Sequence, residues 1–192
     1  MCGIAGYGIG QRSTIDRTLA VQALLTGIAE RGADAVGYAH RAQGDVVGVH
    51  KQRTGASALI DSVAVPAATT QALIHVRDYT KGLPTIAANN HPIRHGSVVG
   101  IHNGIIENDE ELFARHGLER AEPEMTVDSE VIFALVDAYG TRTDVLEELH
   151  GAMASAWIDE RDPEAVHVAR GLARPLWIGR GRHEVLFAST RD

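Results

Sequence analysis

The chain is built from short apolar runs of strand length, interrupted by a few segments with helical periodicity. Three runs are typical of buried strands: GIAGYGI at residues 3–9, ALIHVRD at 72–78 and SVVGIHNGII at 97–106. The region after residue 151 alternates apolar and polar residues in the manner of a meander of short strands. This combination predicts one domain of 192 residues that mixes antiparallel sheet with helices.

The longer segments predict helices and one hairpin. A helix is expected from about Ser13 to Glu30 with Ser13 as its cap, and a short helix from Ala58 to Val65. Three more helices are expected over ENDEELFARHG (107–117), VDSEVIFALVDAYG (127–140, capped by Asp128 or Ser129) and DVLEELHG (144–151). The strands VGYAHR (36–41) and GDVVGVHK (44–51) are expected to pair through a turn at Gln43-Gly44-Asp45.

Charge and composition exclude several classes of function. The formal net charge is −7, from 25 acidic against 18 basic side chains, so nothing favours binding to nucleic acid or to an anionic membrane. No apolar run approaches the ~20 residues of a membrane span, and the N-terminus lacks the pattern of a secretory signal. Because a single cysteine cannot form an internal disulfide, a cytoplasmic location is expected.

That single cysteine is the second residue, in MCGIAGYG. Removal of Met1 would give Cys2 a free α-amine with a reference pKa of ~7.7–8.0 beside a thiol of ~8.5. An amine of this basicity can take the thiol proton, so nucleophile and general base would lie on one residue. The alternative interpretation is a strand cysteine that packs as a small apolar side chain.

Other short motifs also have two interpretations when they are taken alone. HNG at residues 102–104 contains Asn-Gly, the strongest short signal for a hairpin turn. Arg77 adjoins Asp78 and could simply pair with it, Asp128 could be a helix cap, and Arg31 could be a favourable charge at a helix end before Gly32. His91 and His95 are four residues apart, but Pro92 lies between them and the carboxylate of a metal motif is missing, so no metal site is expected.

Six motifs in order change the balance between these interpretations: MCGIAGYG, ERGADAVGY, HVRDYTKG, NNHPI, IHNGIIEN and VDSEV. Together they resemble the glutaminase domain of class II glutamine amidotransferases, which are N-terminal-nucleophile hydrolases. The nearest likeness is to the glutaminase domain of glucosamine-6-phosphate synthase. The resemblance implies a four-layer αββα sandwich of two antiparallel sheets, an α+β fold, over residues 1–192.

The resemblance also implies a reaction and the residues that perform it. Cys2 would attack the side-chain amide of L-glutamine, release ammonia and form a γ-glutamyl thioester that water cleaves to glutamate. Asn103 and Gly104 would form the oxyanion hole, and Arg31 would position or polarise the nucleophile. Arg77 would bind the α-carboxylate and Asp128 the α-ammonium, with Thr80 in the loop over the substrate. No cofactor is implied.

The same comparison leaves the ammonia acceptor open. Relatives carry a synthase domain, and no part of this chain resembles it. We therefore expect an ammonia acceptor of amino-sugar or nucleotide type on a partner subunit or a missing domain. The glutaminase domain itself is expected to be either truncated or minimal. A homo-oligomer is an open alternative. Asp78, Tyr79 and Lys81 depart from the family pattern, which puts coupling to the acceptor in doubt. Two alternative functions remain: hydrolysis of another amide, or an inactive domain that binds glutamine.

Overall fold

Two antiparallel β-sheets face each other and form the centre of the protein. The computed structural model describes residues 1–42 and 46–191. A six-stranded sheet has the order β3-β2-β4-β1-β10-β9, and a four-stranded sheet the order β5-β6-β7-β8. The strands are β1 (Gly3–Ile9), β2 (Ala35–Arg41), β3 (Gly48–Gln52), β4 (Gln71–Arg77), β5 (Ile93–His95), β6 (Val98–Ile106), β7 (Gly151–Asp159), β8 (His167–Arg170), β9 (Trp177–Arg180) and β10 (Glu184–Ala188).

Helices cover the outer face of each sheet. The α-helices are α1 (Arg17–Ile28), α2 (Ser57–Ile60), α3 (Asp109–His116), α4 (Glu130–Tyr139) and α5 (Thr143–Leu146), and two 3-10 helices span Ala29–Arg31 and Ala87–Asn89. One apolar core lies between α1, α2 and the larger sheet, and a second lies between α3, α4, α5 and the smaller sheet. A third core fills the space between the sheets. The predicted αββα sandwich is therefore confirmed.

The three apolar runs form the strands that the sequence predicts, and they lie in the middle of the sheets. β1 pairs with β4 on one side and with β10 on the other. In the smaller sheet, β6 pairs with β5 and β7. Because β1, β4 and β6 are almost wholly buried, the residues at their ends are held by packed elements on both sides.

Three helix predictions were wrong at their boundaries, and the one over residues 144–151 is helical only over Thr143–Leu146. The first helix begins at Arg17 rather than near Ser13, because the Asp16 carboxylate accepts a hydrogen bond from the Leu19 N–H at 2.9 Å and caps the helix there. The segment predicted as a helix over residues 58–65 is helical only over Ser57–Ile60. The turn predicted at residues 43–45 lies outside the described residues.

The predicted meander in the last part of the chain was also wrong, since its strands divide between the two sheets. β7 and β8 belong to the smaller sheet, whereas β9 and β10 belong to the larger one. β10 pairs with β1 in the register Ala5 to Ala188, a contact between opposite ends of the chain that a local pattern does not encode. Across residues 1–42 and 46–191, no helix has the length and apolar character needed to cross a membrane.

Candidate active site

Cys2 lies at the start of β1, beside the end of β4. Gly3 of β1 pairs with Val76 of β4 in antiparallel register. Cys2, which precedes Gly3, therefore lies close to the residues that follow Val76, Arg77 and Asp78. The Cys2 thiol donates to the Asp78 carbonyl oxygen at 3.3 Å and accepts from the Asp78 N–H at 3.4 Å. The thiol is therefore held in place by the backbone of the loop that follows β4.

Arg31 holds the other side of Cys2. Its Nε donates to the Cys2 carbonyl oxygen at 3.0 Å. The next residue must be glycine, because a Cβ at Gly32 would lie 2.4 Å from the carbonyl carbon and oxygen of Arg77. This close approach brings the ERGAD segment against the end of β4 and places Arg31 beside the first strand. The contact fits the positioning role that the resemblance implies for Arg31.

Burial raises the pKa of the Cys2 thiol above its ordinary value, so the thiol is protonated at neutral pH. The backbone contact with Asp78 and the nearby Arg77 charge act in the opposite direction but are smaller effects. Met1 precedes it, 63% exposed, and its α-ammonium forms an ion pair with the Asp78 carboxylate. Met1 also lines an open cleft of about 550 Å³ together with Arg31 and Asp78. A neutral thiol of this kind needs a neighbouring base in order to react.

Asn103 and Gly104 lie within β6, so the interpretation of HNG as a hairpin turn was wrong. The strand continues through both residues, which pair with Ala154 and Met153 of β7. Asn103 is 1% exposed, and its side-chain Nδ2 has no hydrogen-bond partner among residues 1–42 and 46–191. Gly104 has φ +152°, and a Cβ there would lie 1.8 Å from the Ala152 oxygen. Only glycine fits at this position, and the Asn103 side-chain amide beside it is a buried donor.

Arg77, the last residue of β4, is 2% exposed and uses both terminal nitrogens within the chain. One nitrogen donates to the Asn89 carbonyl oxygen and to Asn90 Oδ1, the latter at 2.7 Å. The other donates to the carbonyl oxygens of Lys81, at 2.9 Å, and Gly82. Since a guanidinium has four terminal N–H groups, these contacts occupy all of them. A bidentate grip on a carboxylate therefore requires some of these carbonyls to withdraw.

Asn89 connects Arg77 to the segment that precedes Asp128. Its side-chain oxygen accepts from the N–H groups of Thr126 and Val127 at 2.8 and 3.0 Å, while its Nδ2 donates to the Leu83 carbonyl oxygen at 3.3 Å. Sequence reasoning missed this residue and Asn90. The signal that could have found them is the Asn-Asn pair of NNHPI, because buried amides must be hydrogen-bonded.

Asp128 lies 3% exposed just before α4. Its carboxylate accepts a hydrogen bond from the Ile106 N–H at 2.6 Å, at the end of β6. Ser129 occupies the cap position of α4 without a side-chain cap bond, and its hydroxyl contacts His102 Nδ1 at 2.8 Å instead. Ser129 is thus the predicted cap residue, but its side chain and that of Asp128 bond β6 instead of capping α4.

These segments enclose a cavity of only about 10 Å³. Five of the seven predicted site residues line it: Cys2, Arg77, Thr80, Gly104 and Asp128. Arg31 lines the neighbouring open cleft, and Asn103 lies within the buried strand. A volume of this size holds about one water molecule, so a ligand as large as an amino acid requires some of the lining residues, four of which belong to the 78–84 loop, to move.

Three buried histidines lie behind the cavity. His75 Nε2 donates to the His102 carbonyl oxygen at 3.1 Å, which joins β4 to β6 across the two sheets. The rings of His75 and His91 stack with centroids 4.2 Å apart. His102 contacts the Ala152 carbonyl oxygen through Nε2 at 3.4 Å, so its Nδ1 is the acceptor for the Ser129 hydroxyl. His91 and His102 line the cavity with Cys2, and burial lowers the pKa of all three histidines, so their rings are neutral.

Comparison with known proteins places this site in a family. A family profile described as "Glutamine amidotransferase domain" matches residues 81–192. The protein called glutamine--fructose-6-phosphate aminotransferase [isomerizing] from Bacillus cereus is 32% identical over 202 residues, covering 98% of this chain and 32% of that protein. The protein of the same name from Staphylococcus epidermidis is 34% identical over 206 residues, with the same coverage. The chain belongs to the class II glutamine amidotransferase family.

Solved structures share the fold of this amidotransferase domain. The glutamine phosphoribosylpyrophosphate amidotransferase of B. subtilis, solved with ADP and GMP, superposes with a TM-score of 0.73 at 22% identity, over 98% of this chain and 42% of that one. A glutamine aminotransferase class-II domain protein from Silicibacter pomeroyi superposes with a TM-score of 0.58 at 16% identity, over 97% and 88% of the two chains. The amidotransferase domain spans about a third of the length of its aminotransferase relatives.

The described residues of the amidotransferase domain contain no cluster of side chains that could bind a metal ion. Among these residues, no three His, Cys, Asp or Glu side chains are grouped so that they could hold an ion. His91 and His95 have separate surroundings: His91 stacks on His75, and His95 contacts Glu130 Oε1 at 3.0 Å. The buried histidines therefore act through packing and hydrogen bonds.

The histidine cluster predicts that the amidotransferase domain loses stability as the pH falls. Burial lowers the pKa of His75 to about 3 and that of His91 well below its ordinary value. Between an unfolded value of about 6.5 and these lower values, only the unfolded chain binds the proton, so stability falls by about 1.4 kcal/mol per pH unit for each histidine. Urea unfolding at pH 7, 6 and 5 measures this slope. His91→Gln should reduce the slope of stability against pH by about 1.4 kcal/mol per pH unit, the contribution of one histidine. An unchanged slope in that variant would contradict the lowered pKa of His91.

Proposed function

We propose that this domain hydrolyses the side-chain amide of L-glutamine to glutamate and ammonia, with Cys2 as the nucleophile. The observation that carries the proposal is the buried Asn103 amide, which has no hydrogen-bond partner among the described residues and adjoins Gly104 in the wall of the Cys2 cavity. A buried donor without a partner is costly and is rarely kept unless a ligand uses it. An oxyanion that develops beside Cys2 would be such a ligand.

The reaction follows from the groups that surround Cys2. After removal of Met1, the α-amine of Cys2 takes the thiol proton while sulfur attacks the amide carbon of glutamine. Asn103 Nδ2 and the Gly104 N–H bind the resulting oxyanion, and the amine returns the proton to the leaving nitrogen, which departs as ammonia. Water then attacks the thioester, which gives glutamate and the free thiol. The raised pKa of Cys2 supports this scheme, because a protonated thiol requires the base that the amine supplies.

The substrate's amino-acid end is proposed to lie between Asp128 and Arg77. Asp128 would receive the α-ammonium and Arg77 the α-carboxylate, with Thr80 in the loop above them. All three residues line the cavity with Cys2, which supports this placement. Because the carbonyl oxygens of Lys81 and Gly82 occupy one terminal nitrogen of Arg77, they must withdraw when the carboxylate binds.

The ammonia is proposed to pass to an acceptor of amino-sugar or nucleotide type on another domain or subunit. The support is that the family relatives are about three times as long as the region that matches this chain. The proposal includes a cytoplasmic location, since a reaction that depends on a free thiol suits a reducing compartment.

Asn103→Ala is expected to lower kcat for glutamine hydrolysis by about 10²–10³-fold, the scale of losing one oxyanion donor. Glutamate release by protein that begins at Cys2 is the measurement, and labelling by the glutamine analogue diazo-oxo-norleucine, read by intact mass, confirms that Cys2 is the reacting group. Asn108→Ala is the matched control, because its amide bonds Glu148 and His150 away from the cavity. Processed protein that neither releases glutamate nor takes up the label would refute the proposed function.

A further inference from the structure

We propose that Lys81 is a positioning residue that latches the 78–84 loop shut over Cys2, and that its ion pair with Asp109 sets how readily glutamine enters. The inference rests on the proposed function for its substrate. Lys81 Nζ donates to both carboxylate oxygens of Asp109, at 2.7 and 2.8 Å. Lys81 is also one of the residues that depart from the pattern of the resemblance.

The anchor of the latch is a buried, fixed carboxylate. Asp109 is the first residue of α3 and is 1% exposed, and the N-terminus of the helix favours its negative charge. Arg120 Nη2 donates to the same carboxylate at 3.0 Å, so Asp109 is held in place even without Lys81. The lysine side chain remains 35% exposed, which leaves it able to separate from this anchor.

Arg120 connects the latch to the other side of the cavity. Its Nη1 donates to the Val127 carbonyl oxygen at 2.8 Å, directly before Asp128, and contacts Glu130 at 3.1 Å. Glu130 is fully buried at the start of α4. One network of charges therefore fixes both the 78–84 loop and the segment that carries Asp128.

The latch has a direct consequence for Arg77. While Lys81 is paired with Asp109, the backbone carbonyls of Lys81 and Gly82 hold one terminal nitrogen of Arg77, and the cavity below has a volume of about 10 Å³. This arrangement cannot bind glutamine. Since apparent affinity falls with the fraction of molecules in the competent state, the strength of the ion pair limits binding of the substrate.

Two measurements on protein that begins at Cys2 test the latch with Lys81→Met. Alkylation of Cys2 by iodoacetamide reports opening of the loop without any amidase chemistry, and it should accelerate about threefold to tenfold. The KM for glutamine should fall by a similar factor while kcat stays within about twofold. Raising the ionic strength from about 0.05 to about 0.5 M should accelerate alkylation of the wild type and leave Lys81→Met unaffected.

Arg142→Gln is the matched control, because it breaks an exposed ion pair with Asp144 away from the site and should change neither measurement. Folding of Lys81→Met is checked by its urea midpoint, and retention of the Arg120 contact predicts a midpoint near that of the wild type. An unchanged alkylation rate, or a higher KM with slower alkylation, would overturn the latch. If the wild-type protein hydrolyses no glutamine, the proposed function is refuted instead. The alkylation rates of the wild type and Lys81→Met would still test the latch.

Discussion

Cys2→Ala is expected to abolish glutamine hydrolysis, with a loss of about 10⁴-fold or more in kcat, the scale seen when a hydrolase loses its nucleophile. The thiol is the only one in the chain, and it faces the cavity that Arg77, Gly104 and Asp128 line. Because Cys2 lies before the first residue of β1, outside the paired strands, its side chain should contribute less than about 1 kcal/mol to stability. Glutamate release and urea unfolding of the variant test the two parts of this prediction.

Protein that retains Met1 separates the nucleophile from the base. In that form the nitrogen of Cys2 belongs to a peptide bond and has no basicity, while the thiol remains. Iodoacetamide should still alkylate Cys2, increasingly as the pH rises toward its raised pKa, but glutamine hydrolysis should be lost. Removal of Met1 in vitro by an aminopeptidase, for which its 63% exposure gives access, should restore activity. Equal hydrolysis by both forms would show that another group is the base.

The sequence predicts the strands that carry the site better than the contacts that complete it. The buried runs that become β1, β4 and β6 are local patterns, and Cys2, Arg77 and Asn103 lie on or beside them. HNG illustrates the limit of a local signal, since its Asn-Gly pair favours a turn but the long pairing of β6 with β7 overrides that preference. The resemblance, rather than periodicity, is what pointed to a role for Asn103 within a strand.

Contacts between segments distant in the chain could not be predicted from the sequence. The ion pair of Lys81 with Asp109 joins residues 28 positions apart, and its effect depends on the third partner, Arg120. Likewise, nothing in the alternation of the last strands distinguishes β8 from β9, yet they belong to different sheets. Such choices depend on which apolar faces remain uncovered once the rest of the fold has formed.

Asp78 and Lys81, two of the residues that depart from the pattern of the resemblance, both make contacts that hold the 78–84 loop. Asp78 supplies backbone contacts to the Cys2 thiol and a carboxylate to the N-terminus, whereas Lys81 ties the loop to α3. Both residues add a charge to the loop that is proposed to open and close over the site. The loop thus carries the proposed latch, β6 carries the proposed oxyanion donors, and the proposed nucleophile Cys2 precedes β1.

Arg77→Lys is expected to reduce kcat/KM for glutamine by more than about 10²-fold and to destabilise the protein by about 3 kcal/mol. An ammonium cannot reproduce the planar fork that reaches Asn89, Asn90 and the loop carbonyls, so buried acceptors would lose their donor. The kinetic effect should depend on the substrate. For 4-aminobutanamide, which lacks the α-carboxylate, activity should fall much less than for glutamine, because only glutamine needs the guanidinium.

Arg41→Lys provides the matched control for this substrate dependence. Arg41 is also 2% exposed, and it donates to the carbonyl oxygens of Asp159 and Asp162. It lies at the end of β2 that pairs with Gln71, whereas Arg77 lies at the opposite end of β4. Its variant should lose stability to a similar degree and change the activity on both amides equally. A uniform loss in Arg77→Lys as well would mean that Arg77 only supports the loop, and would favour an enzyme whose substrate is an amide other than glutamine.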